Sequence, residues 1–245
     1  MGGQAARRVS GWRVRCPGMV GAALLLAAGV PAGLGAQVGY DPSHSPYHDT
    51  PRGGVALLTF GYLGGSRGQV GVGISNGPTG GVRYETALGG AIGVSFGVAY
   101  AQTTRYVVDP TKDTLSRKTG PFDTDVVLAD AGFQLLLTGR KTWHRLAPYV
   151  GGAVGLAIGG GSPLDTSGYT FGTKFTVMPS AGVRWYPARR VAVRLDFSAV
   201  LWKLTYPLAY RQPDTVDGVP VLPISASLTE YTWHPWATIG VGWIF

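Results

Sequence analysis

Histidine and acidic residues near the start of the sequence have a spacing that could support metal binding. His44 and His48 stand four positions apart and lie between Asp41 and Asp49. Metal sites need several ligands held in a fixed geometry, and this Pro- and Ser-containing stretch offers no further ligand at a suitable spacing. We therefore interpret residues 37–53 as an unstructured amino-terminal tail and expect no bound metal.

A second candidate for chemistry is His234, which stands in the sequence WHPW. A hydrolase acting on lipid would need a nucleophile beside a base, and the upstream residues Ser225, Ser227 and Glu230 do not specify such a pair. We expect no enzyme activity and no cofactor, with a lipid-modifying enzyme as the least favoured alternative. His234 is expected at a membrane interface, either among aromatic rings or in contact with a lipid head group.

Six charged residues alternate with large apolar residues in otherwise apolar segments. Arg83 and Glu85, for example, flank Tyr84. If the apolar neighbours face lipid, the charged residues share one interior, where charges are tolerated when paired and hydrogen-bonded. The predicted lumen charge network consists of Arg83, Glu85, Asp130, Arg184, Arg194 and Asp196, with Gln134 beside it. The balance of three positive and three negative charges favours a salt-bridged plug, and a proton or ion path is the alternative.

The elements that would position these charges are β-strands. In IGVSFGVAYA, residues 92–101, large residues occupy every second position and Gly, Ser or Ala the positions between. This period of two predicts a strand, whereas a helix would scatter the large residues around its axis. The same alternation predicts eight strands, at 54–63, 80–88, 91–107, 124–138, 147–159, 173–186, 190–206 and 231–245.

The connections between these segments alternate between short turns and long loops rich in Gly, Pro, Asp, Thr and Ser. This plan predicts an all-β fold, an eight-stranded antiparallel up-and-down transmembrane β-barrel with its turns in the periplasm. A soluble sandwich or lipocalin-like barrel is the alternative, but it would present polar residues opposite the large apolar ones. Here the opposite face is mostly small. Inward glycines would leave space for charged neighbours, namely Gly93, Gly97, Gly151, Gly155, Gly240 and Gly242.

The first 36 residues have a different character. A basic start precedes an apolar run over residues 19–28, and small residues lead to Ala36, which is the order of a secretory signal peptide cleaved after Ala36. A retained anchor is disfavoured because the run is about half the ~20 residues that a spanning helix needs. The predicted organisation is a signal peptide over 1–36, a periplasmic tail over 37–53 and a barrel over 54–245.

Composition excludes two further classes. The formal net charge is +8, but Lys and Arg do not cluster with interleaved aromatic residues, so we expect no nucleic-acid partner. The one cysteine, Cys16, lies in the predicted signal peptide, so no disulfide is expected.

Aromatic residues are expected to form two interfacial girdles. The periplasmic girdle would contain Tyr149, Trp185 and Tyr186, and the outer one Trp202, Tyr206, Trp233 and Trp236. Pro179 falls in the middle of a predicted strand, where it lacks an N–H for the ladder. We therefore expect a β-bulge at Pro179.

The sequence closes on ATIGVGWIF, residues 237–245. Thr238, Gly240, Trp243 and Phe245 match the polar-x-Gly-x-x-aromatic-x-aromatic pattern of the last strand in the small eight-stranded outer-membrane barrels, the OmpA-like and OmpX-like group, which the mature sequence resembles. The resemblance implies a bacterial outer-membrane location and contact with the bilayer and its outer-leaflet lipid. It also implies recognition of these four residues by the barrel-assembly machinery.

A plugged barrel would act as a structural or surface-interaction protein through four extracellular loops. Asp109 to Asp125 and Pro207 to Glu230 would then form the contact surfaces for an extracellular partner that the sequence does not identify. The alternative is a narrow transporter resembling the OmpW group, which would pass small apolar molecules through a lateral opening at Pro179.

Overall fold

The computed structural model describes residues 45–51, 53–160, 165, 167–214 and 216–245. The predicted signal peptide, together with Asp41 and His44, lies outside the described residues. Among the described residues, no helix is both long enough and apolar enough to cross a membrane. A short 3-10 helix spans Leu208–Arg211. The strands are β1 Tyr47–Asp49, β2 Val55–Leu63, β3 Gly77–Gly89, β4 Ile92–Val108, β5 Lys118–Leu136, β6 Lys141–Trp143, β7 Leu146–Gly159, β8 Gly172–Ala188, β9 Val191–Thr205 and β10 Thr229–Ile244.

Eight of these strands form a closed antiparallel ring. They are β2, β3, β4, β5, β7, β8, β9 and β10, and each pairs with its neighbours along the chain. The ring closes where β10 pairs with β2, with Trp243 opposite Ala56. The predicted all-β eight-stranded barrel is confirmed. Closure leaves no unpaired edge, as a strand structure in lipid requires.

The two faces of the strands follow the predicted alternation. In β4, Gly93, Ser95 and Gly97 are buried while Phe96 and Val98 are exposed. The exposed apolar side chains continue around the ring on every barrel strand. This outward apolar band is the lipid-facing surface of the barrel.

The connections follow the predicted plan of short turns and long loops. At one end lie the connections 90–91, 137–145 and 189–190; at the other lie loop L1 (64–76), loop L2 (109–117), loop L3 (160–171) and loop L4 (206–228). Strand β5 begins six residues earlier than predicted because β4 and β5 remain paired up to Val108 and Lys118. The surface predicted over 109–125 is therefore partly a β-hairpin.

The segment before β2 differs from the expected unstructured tail. Residues 47–49 form β1, which pairs antiparallel with β6 in the connection after β5. The amide of Thr50 donates to the carbonyl of Arg140 at 2.9 Å, and the amide of His144 donates to the carbonyl of Pro46 at 2.8 Å. The connection after β5 is long enough to form its own strand, and its free edge takes up the incoming chain.

The bulge predicted at Pro179 is wrong. Pro179 stays in register opposite Gly152 of β7. On the side of β9, Val177 pairs with Leu201 and Ser180 pairs with Ser198 in one register. The two residues between these pairs, Met178 and Pro179, have no pairing partner in β9. The proline leaves a gap in the ladder, without shifting the strand, because it removes a donor but adds no residue.

The interior contains two apolar clusters. The cluster near the short turns contains Val55, Leu57, Ala147, Tyr186, Ala192 and Ile244. The larger cluster fills the half near the long loops and includes residues of L1, L3 and L4 that fold into the barrel, among them Val72, Ile74, Tyr169, Phe171, Tyr210 and Leu222. Between the clusters lie the charged residues.

The predicted aromatic girdles are wrong at five positions. The buried residues are Tyr149, Tyr186, Trp202, Tyr206 and Trp236, whereas Trp185 and Trp233 are exposed on the lipid-facing surface. Four of the five lie on the inward phase of their strands, and Tyr206 opens L4. The strand phase, not the aromatic character, decides where each ring points.

Candidate functional site: the charged interior

The charged residues come from four strands and meet in the middle of the barrel. Arg83 and Glu85 lie on β3, Asp130 and Gln134 on β5, Arg184 on β8, and Arg194 and Asp196 on β9. Each lies on the inward phase of its strand. The structure therefore brings all six residues of the predicted network to one interior.

Gly97 lets the first pair form across an intervening strand. It lies opposite Arg83 on one side and Asp130 on the other, so an arginine on β3 can cross β4 to reach a carboxylate on β5. A Cβ at Gly97 would lie 2.7 Å from Asp130 Oδ2 and 2.8 Å from Arg83 Nη2. A side chain there would displace one of the two groups.

The pair itself is direct. Arg83 Nη2 donates to Asp130 Oδ2 at 2.8 Å, and Arg83 Nη1 donates to Ser95 Oγ at 3.1 Å. Both charged side chains are almost completely removed from solvent. A charge-assisted bond of this kind offsets part of the cost of removing both ions from water.

Glu85 is the centre of the second group. Its carboxylate forms an ion pair with Arg184, whose Nη2 lies 2.8 Å from Oε2. It also contacts the guanidinium of Arg194 and accepts from Gln134 Nε2 at 3.0 Å. The Glu85 residue is only 2% exposed. One carboxylate thus holds two arginines from neighbouring strands, which would otherwise repel each other.

Asp196 completes the network from β9. It accepts from Arg194 Nη2 at 2.8 Å and from Ser198 Oγ at 2.7 Å, and the hydroxyl of Tyr149 also donates to it. The Tyr149 ring lies under the guanidinium groups of Arg194 and Arg184, at 4.9 and 5.3 Å from its centroid. The aromatic face adds cation–π attraction to both arginines.

Every charged residue of the set therefore contacts a partner of opposite sign. The remaining cavity among them, lined by residues that include Arg83, Asp130 and Arg194, measures about 10 Å³. A space of this size holds no more than about one water molecule. Toward the short turns the interior opens into a cavity of about 560 Å³, with Glu85 and Arg184 in its wall.

Sequence reasoning missed three members of the site. Tyr149 was expected at the membrane interface, and the hydroxyls of Ser95 and Ser198 were not considered. Tyr149 shares its strand phase with the inward residues Ala147 and Gly151. That phase predicts the inward position of Tyr149, whereas its hydrogen bond to Asp196 depends on packing across the barrel.

A second ion pair lies toward the long loops and was also missed. Arg105 of β4 is 1% exposed and donates to Asp165 of L3 at 2.6 Å. Its guanidinium lies 5.6 Å from the centroid of Tyr169. Burial raises the pKa of the Tyr169 phenol above its ordinary value and that of Tyr210 in L4 to about 12, so both rings are neutral near pH 7.

His234 is not at the lipid interface, which makes both expectations for it wrong. The residue is completely buried, and its ring stacks on Trp202 with centroids 3.8 Å apart. Its Nε2 lies 2.9 Å from Thr232 Oγ1, and its Nδ1 accepts from the Ser66 amide at 3.1 Å. The even-numbered residues of β10 face inward, which places His234 inside the barrel.

The residues of the predicted assembly signal occupy both faces of the closing strand. Thr238 and Gly240 face inward, whereas Trp243 and Phe245 are exposed. The Phe245 ring stacks against Tyr84 with centroids 6.2 Å apart. Both aromatic rings thus lie on the lipid-facing surface near the short turns.

The ring of eight strands, its outward apolar band and its filled interior define an eight-stranded outer-membrane β-barrel, placed in the bacterial outer membrane. The outer membrane protein OprG from Pseudomonas aeruginosa has a similar structure, with a TM-score of 0.51 and 13% identity over 80% of this chain and 98% of that chain. Neisserial surface protein A aligns with a TM-score of 0.48 and 14% identity over 80% of this chain and 100% of that chain. No protein-family model and no curated protein matches the sequence. At these identities the likeness to OprG shows the fold and transfers no function.

Proposed function

We propose that this protein is a closed, non-enzymatic outer-membrane barrel that acts through its four extracellular loops on an extracellular partner. The observation that carries the proposal is the filled interior. The charge network leaves a cavity of about 10 Å³, and side chains of L1, L3 and L4 occupy the half beyond it. A barrel with this interior offers its loops to a partner but no aqueous path to a solute.

Hydrogen bonds between two of the loops support this proposal. Asp217 Oδ2 of L4 accepts from the amide and the hydroxyl of Thr114 in L2 at 3.0 and 2.7 Å. Leu115 beside this link is 94% exposed, and Val216 is 71% exposed. Two hydrogen-bonded loops with apolar tips form a surface suited to a protein or lipid partner.

Planar-bilayer conductance tests the closed interior. Wild-type protein should show no discrete openings, and Glu85→Ala should produce them because it frees Arg184 and Arg194 from their shared carboxylate. Discrete wild-type openings that change with Arg194→Ala would contradict the proposal.

Site-directed labelling tests the orientation of the loops. Leu115→Cys should react with a membrane-impermeant maleimide on intact cells, and Arg140→Cys should react only after the outer membrane is permeabilised. The reverse pattern would show that the long loops face the periplasm, which would remove the basis for a surface role.

A second candidate is lateral transport of small apolar molecules, favoured by the gap in pairing between β8 and β9 at Met178 and Pro179. Pro179→Val restores an N–H donor there and should close such a path. A small apolar dye that enters wild-type and Pro179→Val cells equally fast would argue against this candidate. Slower entry into the variant would support it over a purely surface role.

A further inference from the structure

The net charge of the barrel is concentrated at one end. In the described residues, the interior network is neutral, and the end with the long loops carries eight basic and eight acidic side chains. At the end with the short turns, Asp49 is the one described acidic side chain. It faces five exposed cations, which are Arg140, Lys141, Arg145, Arg189 and Arg190.

These five residues form one continuous surface, which we name the cationic rim. They lie in the neighbouring connections after β5 and after β8. Arg145 Nη1 donates to the carbonyl of Pro187 at 2.8 Å and so joins the first connection to the end of β8, next to the second. The strand β1, which pairs with β6 beside Lys141, holds the first connection in place.

Tryptophan side chains place the rim at the edge of the lipid-facing surface. Trp185 and Trp243 are about half exposed there, at 46 and 53%. The guanidinium of Arg190 lies 5.9 Å from the centroid of Trp243. Tryptophan rings prefer the level of the lipid head groups, so the cations beside them lie at the same level.

We propose that the cationic rim binds the head groups of anionic phospholipids in the leaflet that surrounds the short turns. The rim supplies five positive charges against the single carboxylate of Asp49 among the described side chains at this end, and the tryptophans supply an apolar contact for the lipid chains below. A soluble acidic partner would use the charge alone and would leave the exposed rings unexplained. The inference is independent of any loop function.

Selective quenching of tryptophan fluorescence tests the proposal. The folded barrel is placed in vesicles of neutral phosphatidylcholine that contain a small fraction of bromine-labelled phosphatidylglycerol or bromine-labelled phosphatidylcholine. The test variant is Arg140→Gln/Lys141→Gln/Arg189→Gln, which spares the hydrogen bond of Arg145 and the stacking of Arg190. The matched control is Arg67→Gln/Lys112→Gln/Lys203→Gln at the opposite end.

At low salt the wild type should prefer the anionic lipid by about fivefold or more, since each basic residue near an anionic surface contributes up to about this factor. The test variant, which keeps Arg145 and Arg190, should show a clearly smaller preference than the wild type, and the control should keep the wild-type preference. Raising the salt concentration should reduce the preference of the wild type.

Equal quenching of the wild type by both lipids, or equal losses in the two triple variants, would overturn the proposal. Binding of soluble polyglutamate by the rim, combined with no lipid preference, would overturn it in favour of an acidic soluble partner. A difference in gel mobility between unheated and heated samples checks that each variant is folded. If the triple variant does not fold, Lys141→Gln and Arg189→Gln are measured singly and must each lower the preference.

Discussion

Replacing Glu85 by Gln isolates the contribution of charge at the centre of the barrel. The change keeps the shape of the side chain and removes its negative charge. Glu85 holds Arg184 at 2.8 Å and also contacts Arg194. In the variant, Arg194 retains Asp196, whereas Arg184, whose side chain is 11% exposed, loses its carboxylate partner and stays beside a second cation.

The expected cost follows from that environment. Removing one member of a buried ion pair destabilises a protein by about 3–5 kcal/mol because the other charge stays desolvated. Arg184 keeps its contact with Gln134, so we expect a loss near the lower end, about 3 kcal/mol in the free energy of unfolding. Removing both charges of a pair, as in Arg83→Met/Asp130→Leu, should cost less than Asp130→Leu alone.

Unfolding of the barrel by urea in phospholipid vesicles, followed by tryptophan fluorescence, measures these values. The matched control is Lys112→Gln, which removes a cation whose nitrogen lies 3.8 Å from Asp109 in an exposed pair. That control should change the free energy of unfolding by less than about 0.5 kcal/mol.

A loss below about 1 kcal/mol for Glu85→Gln would refute the reasoning, since that is the range of exposed ion pairs. It would show that water enters the interior and solvates Arg184. Neither the stability of the ion pairs nor the filled geometry would then support a closed interior.

Three further results are expected. Gly97→Ala should destabilise the barrel by about 1–3 kcal/mol because the added Cβ overlaps the Arg83–Asp130 pair. The control Gly152→Ala, whose Cβ has nothing within 4 Å, should have little effect. Equal losses of stability in urea unfolding would contradict this explanation. Burial raises the pKa of Tyr169 and of Tyr206, which also donates a hydrogen bond to Glu230, and it raises the pKa of Tyr210 to about 12. The stability that these neutral phenols contribute is complete below about pH 10 and is lost as the pH rises through their pKa values in the folded barrel. Tyrosinate absorbance should therefore show these phenols ionising after the exposed ones, and a single titration step would contradict the prediction. Phe245→Ala should lower the amount of barrel inserted in cells while leaving refolding into vesicles nearly unchanged, as expected of a recognition residue; equal losses in both assays would indicate a purely structural role.

The strand pattern predicted most of the fold because lipid is a simple solvent. Every barrel strand must present apolar side chains outward, so large apolar residues such as Phe96 and Val98 occupy every second position. The same phase placed Arg83, Glu85 and Asp196 inside. Inward placement in a narrow ring already implied that opposite charges would meet.

Features that depend on contacts between distant strands were not predictable in this way. Arg105 and Asp165 are 60 residues apart, and no local pattern links a strand residue to a loop residue. The aromatic residues Trp202 and Trp236 were assigned by chemical type to the interface, but their strand phase buries them. The pairing of β1 with β6 likewise joins segments far apart in the sequence, with Asp49 opposite Lys141.

The inward folding of L1, L3 and L4 limits how this protein can change over evolutionary time. Residues such as Ile74, Phe171 and Leu222 lie in the same apolar cluster as the strand residues, so mutations in these loops are subject to the stability constraints of the core. Sequence drift and insertions should therefore collect at Leu115 and Val216, which project from the cluster. Other exposed loop positions, such as Leu208 and Ile224 at 70 and 80% exposed, are equally free of the constraints of the core.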